Sequence, residues 1–379
     1  MLKKILTFIN RIIPKTNYII FNSYPAFSDN SKALYDYIQK SRPDIAENYK
    51  LIWAQKKAEL LVNHEKNVVA VNKHSIKGIW IFLRSKYVFS THGYFPNVKS
   101  GAGQIQVNLW HGCGYKAMTS DDRCYRGDYT LATSDLYKKL QAEGLEMDLQ
   151  NVYITGYPRN DCMFSKKGAL EKLGISKNRY KKIYIWMPTY RKASEGHKGI
   201  DGDDNSFNIS KITSEQYSRL NNILKEKGSL LIIKPHPMDA SSVQIAEKLS
   251  RIAIIKNKDL DEKHVSLYDL LSETDCLMSD YSSVIVDYLL LDKPIIMVLS
   301  DMVEYRNSRG FVFENVEMYF PGPIISNIEE LIAYFKYSDK IDEKWKEKRI
   351  ELKKKFHKYS DGKSSERVCD LFFGERNQL

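Results

Sequence analysis

Short apolar runs alternate with helical stretches along this chain; the pattern runs through once, meets a charged stretch at residues 166–182, and starts again. No other feature limits the fold as much. Strands that follow one another in parallel need crossover connections, and crossover helices cover both faces of the sheet they serve. In the first half the runs fall at residues 18–21, 49–54, 68–71, 87–90, 104–110, 129–133 and 151–155, with helical patterning at 33–39 and 76–84. In the second they fall at 183–187, 229–234, 251–256, 276–279 and 294–299, with helices at 214–227, 267–273 and 282–291 and a Gly- and Asp-rich loop at 196–208. The expectation is two α/β units with mostly parallel sheets.

The tail returns to helix. Residues 342–358 mix charges at helical spacing, Asp361-Gly362 breaks the run, and Ser364 or Ser365 can cap a last helix carrying Val368, Leu371 and Phe372. The domains expected are an N-terminal α/β domain over 1–170, a second over 171–340, and C-terminal helices over 341–379. Within the first, residues 1–13 read as an amphipathic helix, with Leu2, Ile5, Leu6, Ile9, Ile12 and Ile13 on one face and Lys3, Lys4, Asn10 and Arg11 on the other. Such a helix can lie in an anionic leaflet or pack on its own domain.

With 379 residues the chain can hold two sizeable cores. Its 58 Lys and Arg against 47 Asp and Glu leave a net charge of +11. That suits a polyanionic partner, and it also suits plain solubility. Five scattered cysteines form no CxxC pair and no disulfide framework, which fits a reducing compartment. No apolar run reaches bilayer-spanning length. Several function classes drop out on their motifs. There is no GxxxxGK[ST] loop, no GxSxG elbow, no GxGxxG after the first strand, no zinc spacing, and no helix-turn-helix or RNA-binding signature.

Three polar clusters follow expected strands, where open α/β sheets bind ligands. The first is Trp110-His111-Gly112-Cys113-Gly114-Tyr115-Lys116. A neutral His111 imidazole there can take a proton from an attacking hydroxyl, or it can be a structural histidine in a loop. The second is Lys234-Pro235-His236-Pro237. Its prolines fix the backbone around His236, which can meet a diphosphate oxygen or simply sit in a tight turn. The third is Ser279-Asp280-Tyr281-Ser282-Ser283-Val284. Hydroxyls and amides entering a helix can bind an anion or merely cap the helix. Arg191, after Met187-Pro188-Thr189-Tyr190, and Arg309, in Ser308-Arg309-Gly310-Phe311, can grip phosphate with two donors or form surface ion pairs.

Taken in order, these clusters together with Thr155-Gly156-Tyr157-Pro158-Arg159-Asn160-Asp161, Lys293-Pro294-Ile295-Ile296, Asp29-Asn30-Ser31-Lys32 and Ser360-Asp361-Gly362-Lys363-Ser364 resemble the CDP-glycerol glycerophosphotransferase family, the teichoic acid primases and polymerases. The resemblance covers nearly the whole chain. It implies two Rossmann-like domains facing a cleft (GT-B type), with the donor site in the C-terminal half. It implies transfer of glycerol phosphate or ribitol phosphate from a CDP-activated polyol to a lipid-linked glycan or polyol-phosphate acceptor, with CMP released. The expected setting is the cytoplasmic face of the cell membrane, in teichoic acid or capsule-type synthesis, with no cofactor, metal or nucleic acid. On the matching positions, His111 is implied as general base and His236 as the diphosphate histidine. Ser282 and Ser283 are implied as phosphate contacts with Asp280 nearby, and Arg191 and Arg309 as phosphate clamps. Lys116 and Lys234 join them as substrate-binding residues. One departure stands out: members carry His-Gly-Thr-Pro-Leu-Lys where this chain has His111-Gly112-Cys113-Gly114-Tyr115-Lys116. That difference bears on the acceptor and the polyol. The alternative is a sugar-nucleotide glycosyltransferase on the same scaffold.

Overall fold

The structure, a computed structural model, describes residues 2–56, 69–165, 167–189, 207, 209, 212–236 and 249–374. The chain divides into two compact units: Met1–Cys113 with Met118–Phe164 and His357–Leu379, and Gly114–Ala117 with Ser165–Phe356.

The first unit is built on a seven-stranded sheet of β1 (Thr16–Asn22), β2 (Lys50–Gln55), β3 (Ala70–Asn72), β4 (Ser85–Ser90), β5 (Ile105–Asn108), β6 (Tyr129–Ala132) and β7 (Val152–Ile154). Every pairing is parallel, in the order β3-β2-β1-β4-β5-β6-β7. The chain therefore winds outward from β1 in one direction and then, from β4, in the other. The crevice at the carboxyl ends of β1 and β4 is the topological switch point. Ile19, Ile20 and Phe21 are wholly buried, as an unbroken apolar run in a sheet covered on both faces must be. One face packs Ile20, Ile52, Val71, Phe82 and Val88 together. On the other, Phe21 sits among Tyr35, Trp53 and Phe89.

The amphipathic N-terminal helix forms, over Leu2–Ile12, but its apolar residues divide between two faces. Leu6, Ile9 and Ile13 pack on the core. Ile5, Phe8 and Ile12 are exposed, at 46%, 64% and 65%. Asn10, expected on the polar face, is fully buried. Its amide donates to the Lys99 carbonyl and to Gln104 Oε1, and the Lys15 ammonium donates back to it, so the helix is fixed to its own unit.

The second unit carries β8 (Lys182–Met187), β9 (Ser229–Ile233), β10 (Ile252–Ile254), β11 (Cys276–Ser279), β12 (Ile295–Val298) and β13 (Ile324–Ile325). These are again all parallel, in the order β10-β9-β8-β11-β12-β13, with the switch point between β8 and β11. Its core joins Tyr184, Trp186, Leu231, Ile233, Met278 and Ile296 on the sheet to Tyr217, Leu220 and Leu224 of the helix Ser214–Glu226, which a Thr213–Gln216 capping box starts.

The structure differs from three expectations. Residues 341–379 are no unit of their own: helices Ile328–Glu343 and Lys346–Phe356 belong to the second unit, and Ser364–Phe373 belongs to the first. Neither Ser364 nor Ser365 caps that last helix by its side chain. Their amides donate instead to the two carboxylate oxygens of Asp161, at 2.8 and 2.7 Å, so the cap comes from a residue far away in sequence. The helix expected at 282–291 is a short α-helix, Val284–Tyr288, running into a 3₁₀ turn, Leu289–Leu291. The loop expected at 196–208 lies, except for Phe207, outside the described residues.

Candidate functional site

In the first unit β5 ends two residues before the run expected from sequence, because Trp110 takes a left-handed backbone, φ +61°. That conformation is costly for a bulky residue and must be held from outside. Asn108 Oδ1 accepts from the Trp110 amide at 2.9 Å. The fully buried Asn30 donates to the carbonyls of Leu109 and Trp110, at 3.2 and 2.8 Å, and accepts from the Arg159 amide at 3.1 Å. Arg159 Nη1 donates to the His111 carbonyl and to Asp29 Oδ1, both at 2.8 Å. Asp29, Asn30 and Arg159 thus clamp the turn that carries His111.

The His111 ring lies against His92, two residues past β4: centroids 4.2 Å apart, planes 11° from parallel. Trp110 leans on its neighbour at 4.5 Å. Tyr24, past the end of β1 and 69% exposed, meets His92 edge-on at 5.9 Å. Thr91 touches both histidines: its hydroxyl is 2.9 Å from His92 Nδ1 and its carbonyl 3.4 Å from His111 Nδ1. The aromatic group therefore gathers at the carboxyl ends of β1, β4 and β5, around the switch point.

In the second unit the neighbouring strands β9, β8 and β11 end together, about 5 Å from one to the next. Past β11, the buried Asp280 accepts from the Thr189 amide at 3.0 Å and from its hydroxyl at 2.6 Å, tying the β8 and β11 ends together. Ser282 Oγ accepts from the Val284 amide, and both Ser282 and Ser283 are partly exposed. Gly114 lies against this turn so closely that a Cβ there would come within 3.0 Å of Ser283 Cα. The segment carrying it is sewn to the Arg309 turn. Lys116 bridges Phe311 in antiparallel fashion, the Val312 amide donates to the Tyr115 carbonyl, and the Ala117 amide donates to the Gly310 carbonyl. Lys116 Nζ stands 5.7 Å from the Tyr305 ring centroid, in an aromatic group with Tyr281 and Phe311.

Lys116, Ser282, Ser283, Asp280 and Arg309 are therefore brought together in the second unit. His236 follows β9, partly exposed. Lys234 is buried: its ammonium donates to Asn257 Oδ1, and burial lowers it to about 8. Arg191 lies outside the described residues. His111 is in the first unit with residues that the sequence did not single out as site residues: His92, Asp29, Asn30 and Arg159. Among the described residues no group of three or more His, Cys, Asp or Glu side chains is placed to hold a metal, and none of the five cysteines is in a disulfide.

Residues 5–374 match the sequence profile of the family described as CDP-Glycerol:Poly(glycerophosphate) glycerophosphotransferase. The chain belongs to this family. It is 25% identical over 389 residues to the teichoic acid glycerol-phosphate transferase of Staphylococcus aureus, covering 95% of this chain and 94% of that protein. It is 26% identical over 401 residues to the teichoic acid poly(glycerol phosphate) polymerase of Staphylococcus epidermidis, covering 96% of this chain and 51% of the polymerase. The chain thus spans about half the length of that relative. The wall teichoic acid polymerase TagF superposes with a TM-score of 0.75 at 23% identity, over 97% of this chain and 92% of that one, so this family member shares its fold.

Proposed function

We propose that the chain transfers glycerol phosphate or ribitol phosphate from a CDP-activated polyol to a lipid-linked glycan or polyol-phosphate acceptor, in teichoic acid or capsule-type polymer synthesis. The observation that carries this is the family match over residues 5–374, with the His111 turn and the Ser282-Ser283 turn each at the carboxyl ends of a parallel sheet. Relatives named as glycerol-phosphate and ribitol-phosphate enzymes support both polyols, and a structure of a TagF variant soaked with CDPG has been solved. The family match does not favour the sugar-nucleotide glycosyltransferase.

In the proposed reaction the acceptor hydroxyl attacks the donor's β-phosphorus. His111 takes the hydroxyl proton as the new oxygen–phosphorus bond forms. The bond from that phosphorus to the bridging oxygen breaks, and CMP leaves with its electron pair. Lys116, Arg309, His236 and the hydroxyls of Ser282 and Ser283 hold the diphosphate and offset charge growing on CMP, with Arg191 a further phosphate clamp. Positioning and electrostatics of this kind supply most of a phosphoryl-transfer rate. Asp280 orients Thr189 and the serine turn, and Lys234 supports the His236 turn from beneath.

Contact with the cytoplasmic membrane surface belongs to the same proposal. No described helix is long and apolar enough to cross a membrane. The exposed Ile5, Phe8 and Ile12, next to the helix Ile76–Arg84 with Ile76 90% and Trp80 51% exposed, offer an apolar face among Lys3, Lys4, Arg11, Lys77 and Arg84. The deciding experiment incubates the protein with a lipid-linked acceptor analogue and CDP-glycerol, CDP-ribitol or a UDP-sugar in turn, and weighs the products by mass spectrometry. Acceptor extended by polyol phosphate, with CMP released, is expected. Extension by the sugar alone would overturn the proposal.

A further inference from the structure

The switch point of the first sheet holds a second imidazole to which neither the motifs nor the proposed mechanism gives a part. Building on the reading of His111 as base, we propose that His92 is a positioning residue for it, a stacked imidazole that fixes the plane of the His111 ring while that ring gains and loses a proton. The two rings stack nearly parallel, with centroids 4.2 Å apart and planes 11° from parallel. The supporting ring is itself held. The Thr91 hydroxyl, which also accepts from the Tyr24 amide, lies 2.9 Å from His92 Nδ1, and the Tyr24 ring closes on His92 at 82° to its plane.

Such a support must remain uncharged, since two cationic imidazoles at this spacing repel. The surroundings favour that. Burial first, and His111 next, hold the His92 imidazole low, at about 3; Asp29 and Asp122 oppose the lowering, and Arg159 adds to it. Near neutrality His92 is therefore a flat, neutral surface beside the His111 ring.

The test uses the full chain, CDP-glycerol and a lipid-linked acceptor analogue, reading kcat, KM for the donor, the pH profile of kcat and the unfolding midpoint. His92→Ala is expected to lower kcat about 10- to 100-fold, the cost of a misplaced catalytic group, with KM for the donor and the midpoint unchanged. Opening one face of His111 to water favours the imidazolium, so the acid limb of the profile moves to higher pH. His92→Phe restores a ring face and returns both kcat and the limb toward wild type. A His92→Ala protein with wild-type kcat and limb overturns the inference, as does a loss that follows a lowered midpoint with the limb unmoved. His111→Ala separates the two readings. If it is inactive while His92→Ala is normal, only the positioning role falls; if it is fully active, the base assignment falls and takes this role with it.

Discussion

Asn30 holds the His111 turn at the point where the backbone resists it most. Trp110 adopts φ +61°, and one buried side chain bonds the carbonyls on either side of that strained residue's amide while receiving the Arg159 amide. Asn30→Ala strands buried carbonyls, and a loss of about 2–3 kcal/mol in urea unfolding is expected, together with a fall in kcat. Lys234 makes a prediction in pH. Burial lowers its ammonium from 10.5 to about 8. Between those values the unfolded chain keeps a proton that the folded chain has released, so the unfolded state binds more protons and stability rises with pH. The cost of burying the charge is fully present below about pH 8 and gone above about 10.5. Measured against Lys234→Met, wild-type stability should gain up to ~3 kcal/mol across that window. A flat difference would show that the lysine is not desolvated.

At the scale of elements, the last helix tests how the chain ends are joined. Asp161 receives the first two amides of Ser364–Phe373, and that helix places Phe372 against Phe89, Tyr129 and Tyr153 of the first sheet. Asp161→Ala should cost about 1–2 kcal/mol in thermal or urea unfolding, while Asp161→Asn, which keeps one acceptor oxygen, should cost less. This cap also shows where sequence reading stops. Helices Ile76–Arg84 and Leu267–Glu273 and strand Cys276–Ser279 are legible to the residue, because periodicity and burial agree locally. Helix Asp135–Leu145 was not singled out, since its buried Tyr137, Gln141, Ala142 and Leu145 make only a weak apolar stripe. The sequence offers Ser364 or Ser365 as the cap because the competing carboxylate, Asp161, is distant in sequence. Likewise His111 and Ser282-Ser283 were legible as polar residues after apolar runs. His92, Asn30 and Arg159 are not legible as partners of His111: the sheet order β1-β4-β5 brings His92 to it, and Arg159, past β7, arrives only because the turn Pro158–Phe164 packs on helix Asp29–Ser41, which carries Asn30.

At the scale of the whole molecule, two parallel sheets each carry part of the proposed chemistry. The His111 group stands at the carboxyl ends of the first, and the Lys116, Ser283 and Arg309 group at those of the second. The segment Gly114–Ala117 belongs to the second unit although the residues on both sides of it belong to the first, so the motif His111 to Lys116 is shared between the units. Removal of the base should therefore stop the chemistry and spare donor binding. The most direct measurement is a single turnover of His111→Ala, following CMP release from CDP-glycerol in the presence of a lipid-linked acceptor analogue, with donor affinity read by calorimetry. Wild-type donor affinity is expected, with CMP release slowed by about 10²- to 10⁴-fold, the worth of a general base. CMP released at the wild-type rate would contradict it.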